Sequence, residues 1–99
     1  MHSHHIKKLI ISGNSISDKI TLDRLCEMLW RNNNLEHFEL DECQIGETGG
    51  VCIGEALIKG SKLKYLSLKS NEISDEGVSR LANGLEINKT LTDLYLGKN

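Results

Sequence analysis

Apolar and polar positions along the chain follow one compound pattern that recurs four times. From Leu63 the order is L-K-Y-L-S-L-K-S-N-E-I, with aliphatic residues at the first, fourth and sixth places and polar or aromatic residues between them. The same order runs from Leu35 as L-E-H-F-E-L-D-E-C-Q-I, from Ile6 as I-K-K-L-I-I-S-G-N-S-I, and from Leu91 as L-T-D-L-Y-L-G-K-N. The starts at 6, 35, 63 and 91 are 29, 28 and 28 residues apart, a spacing that marks a stack of equivalent units. Side chains alternate across a strand with period two. The pairs Leu9/Ile11, Phe38/Leu40, Leu66/Leu68 and Leu94/Leu96 are therefore predicted to share one buried face.

Each of the first three units continues with a second periodicity. Leu22, Leu25, Cys26 and Leu29, then Gly50, Ile53, Gly54 and Leu57, then Val78, Leu81, Ala82 and Leu85 stand at i, i+3, i+4 and i+7, one face of an α-helix. The extra residue of the first unit falls between Ile16 and Leu22, outside both apolar faces. A helix returning the chain to the start of the next strand makes the strands parallel. Because a helix is wider than the gap between strands, such an array curves with its sheet on the concave side. Ser74, followed by Asp75 and Glu76, is expected to cap the third helix, with two acids near its positive end. The second helix is expected to be the weakest in isolation, since Gly49, Gly50 and Gly54 lie within it.

These residues resemble the leucine-rich repeat family. The 28-residue period, with Gly49 and Gly77 at the helix starts, is similar to its ribonuclease-inhibitor-like class. The resemblance spans residues 6–99; the first unit departs from it by carrying Ile20 and Thr21 where the later ones have Gly. It implies an α/β solenoid, a horseshoe fragment of four parallel strands and three covering helices. It also implies that Asn14, Cys43, Asn71 and Asn99, the ninth residue of each unit, form a hydrogen-bonding ladder where the chain leaves the strand. Relatives in that class include inhibitors, ligand-sensing arrays of intracellular immune receptors, actin-filament caps and activators of the Ran GTPase.

Composition narrows the functions. The 99 residues make a single domain, and 38% hydrophobic with 26% charged residues is ordinary globular usage. Twelve Lys plus Arg against fourteen Asp plus Glu give a net charge of -2, no footprint for a nucleic-acid backbone or an anionic membrane. Three cysteines at no paired-ligand spacing, Cys26, Cys43 and Cys52, suit reduced thiols. With no apolar signal region, a cytoplasmic setting is expected. Met1 to His5 reads as a tag-like or disordered segment and residues 6–99 as the array. Five residues ahead of the first strand and no helix after the last one suggest a fragment of a longer array, or one whose uncapped ends self-associate.

The candidate chemistry lies on the strand positions that point away from the helices: Lys8, Ile10 and Ser12; His37, Glu39 and Asp41; Tyr65, Ser67 and Lys69; Asp93, Tyr95 and Gly97. Tyr65 and Tyr95 are the leading partner contacts, since Tyr joins apolar area to a polar tip. His37, Glu39, Asp41, Lys69 and Asp93 complete the candidate surface. Leu35 to Leu57 contains six acids and no Lys or Arg, giving either an acidic docking patch or a solvated face, with Lys69 placed to neutralise Asp41. His37, Glu39 and Asp41 share one side of one strand, a weak metal constellation, because tetrahedral sites draw ligands from more than one element. Trp30 is expected to pack on the following helix. Asn88-Lys89-Thr90 matches a glycosylation sequon and is read as coincidence. No nucleophile elbow, phosphate-binding loop, HExxH or CxxC is present. The sequence thus predicts a non-catalytic module without cofactor or metal, binding a protein partner through the concave sheet. The alternatives are a GTPase-activating regulator of the Ran-activator type and a self-associating scaffold fragment.

Overall fold

The computed structural model describes residues 6–32 and 34–99; Met1 to His5, and the tag-like reading of them, lie outside the described residues. The elements follow in the order β1 (Lys8–Ile10), α1 (Lys19–Arg31), β2 (His37–Glu39), α2 (Gly46–Lys59), β3 (Tyr65–Ser67), α3 (Ser74–Ile87) and β4 (Asp93–Tyr95). The four strands pair in parallel in sequence order. Equivalent residues of successive repeats stand directly beside one another, with Leu9, Phe38, Leu66 and Leu94 forming one continuous rung. Each regular strand is only three residues long. The parallel bonding nevertheless continues past it, from the Leu40 N–H to the Ser67 carbonyl and from the Glu42 N–H to the Lys69 carbonyl.

The helices cover the aliphatic side of this sheet. Phe38, Leu66 and Leu68 are fully enclosed, as are Leu35 and Leu63, which open their repeats, and Ile53, Leu57 and Leu81 on the helices. Burial of each such side chain contributes about 1.5–3 kcal/mol relative to exposure. Leu9, Ile11, Leu94 and Leu96, in the first and last repeats, pack against this core but are only partly buried.

α2 and α3 meet backbone to backbone. A Cβ on Gly54 would lie 2.6 Å from the Arg80 carbonyl oxygen, and one on Gly84 would lie 2.6 Å from the Gly54 carbonyl oxygen. The close approach that these glycines permit offsets their low helix propensity. On α3 the buried face is Gly77, Leu81 and Gly84, and this corrects the expected face: Val78 is half-buried, and Ala82 and Leu85 are exposed. The matching positions of α2, Gly50 and Gly54, look toward α3, whereas among the described residues no helix follows α3.

The start of α3 is a second correction. Ser74 does not cap the helix with its side chain; it adopts a positive φ of 71°, and its hydroxyl donates to the Glu47 carboxylate at 3.1 Å. It occupies the left-handed position that Gly46 takes, with φ 65°, at the start of α2. Asp75 and Glu76 do lie in the first turn. α1 carries the conventional cap: the Asp18 carboxylate accepts from the Thr21 N–H at 3.0 Å.

Beyond the strands the ninth-position residues tie repeat to repeat. The Asn71 amide donates to the Leu40 carbonyl at 2.7 Å, and its oxygen accepts from the Cys43 N–H at 2.7 Å. Asn99 repeats the arrangement one repeat later, donating to the Leu68 carbonyl at 2.7 Å and accepting from the Asn71 N–H at 2.9 Å. The Cys43 thiol reaches the Ile11 carbonyl at 3.3 Å. Among the described residues the Asn14 side chain bonds within its own loop, to the Ile11 and Ser12 carbonyls, and makes no cross-repeat bond. A similar device follows two of the helices, where Asn32 and Asn88 each accept from the backbone N–H groups two and three residues on.

Candidate binding surface on the open sheet face

Parallel register places the outward-pointing residues in rows. Lys8, His37, Tyr65 and Asp93 form one row, and Ile10, Glu39, Ser67 and Tyr95 the next. Neighbouring strands are about 4.8 Å apart, so planar side chains in register are brought to stacking distance. The His37 and Tyr65 rings lie 4.0 Å apart at an interplanar angle of 5°. Tyr95, one row on and one strand over, places its ring 5.2 Å from Tyr65 at 42°. Three aromatic rings thus run diagonally across three strands. Tyr95 is 45% exposed, and His37 and Tyr65 are half-buried.

Carboxylates surround these rings. The Glu39 carboxylate lies 2.7 Å from His37 Nε2. The Tyr65 phenol is held above its ordinary value, by partial desolvation first and then by the Glu39 carboxylate, the neighbouring Tyr95, and the Asp41 and Asp93 carboxylates. Tyr65 therefore keeps its hydroxyl proton at neutral pH and presents a donor.

Asp41 belongs to the framework more than to the open surface. One of its carboxylate oxygens accepts from the Ser67 hydroxyl at 2.7 Å and from the Lys69 N–H at 2.8 Å, while its own N–H donates to the Ser12 hydroxyl at 3.0 Å. Three repeats are joined through this one residue. Ser67, expected on the open face, is only 1% exposed, because its short side chain lies between larger neighbours and turns to Asp41. Lys69 meets Asp41 through its backbone rather than as an ion pair. Its ammonium lies 5.9 Å from the Tyr95 ring centre, within cation–π range. His37, Glu39 and Asp41 do not converge: the first two pair and the third is committed to Ser67 and Lys69. Among the described residues no group of three His, Cys, Asp or Glu side chains could hold a metal ion.

Four acids of the second repeat have different neighbours. Glu36 lies 3.9 Å from Lys64, Glu39 is on His37, Glu47 accepts from Ser74, and Glu55 is on the opposite side of the molecule in a cleft between α1 and α2. That cleft, about 290 Å³, is lined by Cys26, Trp30, Cys52 and Lys59 among others. Trp30 packs there with the charged groups of Arg31 and Lys59 at 5.0 and 5.2 Å from its ring centre. Cys26, Cys43 and Cys52 are free thiols. Burial holds the Cys26 thiol well above the ordinary range, reinforced by the Cys52 thiol and then by Asp23 and Glu55. Neither thiol of the cleft has the electropositive setting of a reactive cysteine.

Comparison with known proteins gives this geometry a family. A model described as "Leucine Rich repeat" matches residues 2–20, 31–54 and 61–82. The chain belongs to the leucine-rich repeat family. Among curated leucine-rich repeat proteins it is 36% identical to the bovine "NACHT, LRR and PYD domains-containing protein 9" over 87% of its own length and 9% of that protein's. It is 32% identical to the human "Leucine-rich repeat-containing protein 14" over 81% of its length and 16% of that protein's. The human "NACHT, LRR and PYD domains-containing protein 13" is 30% identical over 99% of the chain and 9% of that protein. The chain therefore spans less than a fifth of these relatives.

Reasoning from sequence missed three residues of this leucine-rich repeat framework. The bridging roles of Ser12 and Ser67 have only a faint signal, a small hydroxyl residue one strand away from Asp41. Asn88 had a clearer one: like Asn32 it stands three residues ahead of a repeat-opening Leu. Its amide donates to the Leu57 and Ser61 carbonyls at 3.1 and 3.2 Å, so the sequon asparagine is engaged in holding the turn.

Proposed function

We propose that the chain binds a protein partner through the open face of its sheet, with Tyr65 and Tyr95 as anchors and His37, Glu39 and Asp93 around them. The observation that carries this reading is the diagonal of three rings on a face that no helix covers among the described residues. Large amphipathic side chains held in place by their neighbours lose little entropy on binding and dominate contact energetics. Membership of a family whose relatives named above carry leucine-rich repeats in far longer chains supports a role as an interaction module rather than a catalyst, and the 28-residue period supports the ribonuclease-inhibitor-like class. Three free thiols support a reducing, intracellular setting.

Site-directed photo-crosslinking tests this proposal. With Tyr95→p-benzoylphenylalanine, a defined protein adduct is expected that Arg24→p-benzoylphenylalanine, at an exposed position of α1, does not form. Adducts from position 24 alone would contradict it. A regulator of GTP hydrolysis would in addition accelerate a small GTPase in a turnover assay, whereas simple binding leaves that rate unchanged.

Self-association is the second reading, favoured by apolar side chains at both ends of the stack. Ile6 and Ile20 are 44% and 64% exposed at one end, and Leu85 and Ile87 are 36% and 55% exposed at the other. Light scattering over a range of concentrations separates it from the first: a mass that stays at one chain excludes end-to-end assembly.

A further inference from the structure

We infer that the Tyr65–Tyr95 pair, with Asp93 beside it, is a seat for an arginine side chain presented by a basic segment of the partner. This rests on the proposal that the open face binds protein, and adds to it the chemistry of what is bound. Three independent observations lead there.

The first is the geometry of the rings. Tyr65 is braced by the His37 stack at 4.0 Å, and Tyr95 leans on Tyr65 at 5.2 Å while remaining 45% exposed. A fixed and accessible π-face attracts a cation through the ring quadrupole, most strongly where water is partly excluded.

The second is the charge around them. Asp93 stands beside Tyr65 in the strand register and is exposed. Among the described residues its carboxylate accepts no hydrogen bond and joins no ion pair, unlike Glu39, which is on His37, and Asp41, which is on Ser67 and Lys69. A free carboxylate beside an aromatic pair suits a guanidinium, whose planar fork both stacks on rings and bonds a carboxylate through two N–H groups.

The third is that the chain already brings a cation of its own to this place. Lys69 turns its ammonium to 5.9 Å from the Tyr95 ring centre instead of pairing with Asp41. Lys69 is exposed and its ammonium forms no ion pair among the described residues, so an incoming guanidinium displaces it into water. A planar, weakly hydrated group held by both ring and carboxylate takes the place of a strongly hydrated one held by the ring alone.

The test is a nuclear magnetic resonance titration of the whole chain with blocked Gly/Ser peptides that differ only in carrying three Arg, Lys, Gln or Glu residues. The Arg peptide is expected to shift the Tyr65 and Tyr95 ring signals saturably, and the Lys peptide to do so several-fold more weakly. The Gln and Glu peptides should leave them in place. Tyr95→Leu and Asp93→Asn should each weaken the Arg peptide by about fivefold or more, with unchanged helicity. Lys69→Gln, which removes the resident cation, should tighten it.

Equal shifts from the Gln or Glu peptide would overturn the arginine seat while leaving the open face as a binding surface. Shifts confined to α1, α2 and α3 with silent ring signals would overturn both. Weaker binding by the Lys69→Gln variant, or no response to any peptide, would overturn the seat.

Discussion

The two sides of the sheet are made from alternate residues of the same short strands, yet they are built on different principles. On the helix side, Phe38 and Leu66 are wholly enclosed and touch residues from several repeats. On the open side, the Tyr65 ring stacks on His37 and meets Tyr95, and Tyr95 keeps nearly half its surface in water. The first side holds the stack together. The second is set by the strand register of the first, which positions its rings. A surface of that kind is free to be spent on a partner.

Substitutions should separate the two sides by size of effect. Leu66→Ala, in the middle of the aliphatic rung, should cost about 2–5 kcal/mol of folding stability in urea denaturation; a smaller loss would mean that the helix side is not tightly packed. Asn71→Ala lies at the boundary between the sides. It leaves the Cys43 N–H and the Leu40 carbonyl without their partners and should cost about 1–3 kcal/mol. Alkali should act through the helix side. Cys26 titrates far above its unfolded value, so above about pH 8.5 the unfolded chain loses a proton that the folded chain keeps. Stability is therefore complete below that pH and should fall by about 1.4 kcal/mol per pH unit above it for this group. Cys26→Ala should flatten that slope in pH-dependent denaturation. Tyr95→Ala should change stability least, by about 1 kcal/mol or less, the scale of one exposed aromatic contact.

Much of this division was legible in the chain. The 28-residue recurrence places every strand in register, and period-two alternation then assigns Phe38 and Leu66 inward and Tyr65 and Tyr95 outward. What was not legible depends on directions that a one-dimensional pattern does not carry. Ser74 has the composition of a helix cap, but the turn before α3 demands a left-handed residue at that point. Lys69 and Asp41 are neighbours in the ladder, yet the carboxylate is taken by a hydroxyl and a backbone N–H, which leaves the ammonium to Tyr95. Val78, Ala82 and Leu85 carry helical periodicity, but whether such a face is buried depends on a neighbouring helix rather than on the face itself. Gly54 reads as a weak position of the second helix, and its value appears where its backbone meets that of Arg80 on α3.

The most direct test of the open face as the working surface is the affinity of the cross-linked partner, once isolated, for the Tyr65→Ala and Tyr95→Ala variants, measured by calorimetry. Each substitution is predicted to weaken binding by about 1–3 kcal/mol with helicity unchanged. Undiminished binding by both variants would contradict it.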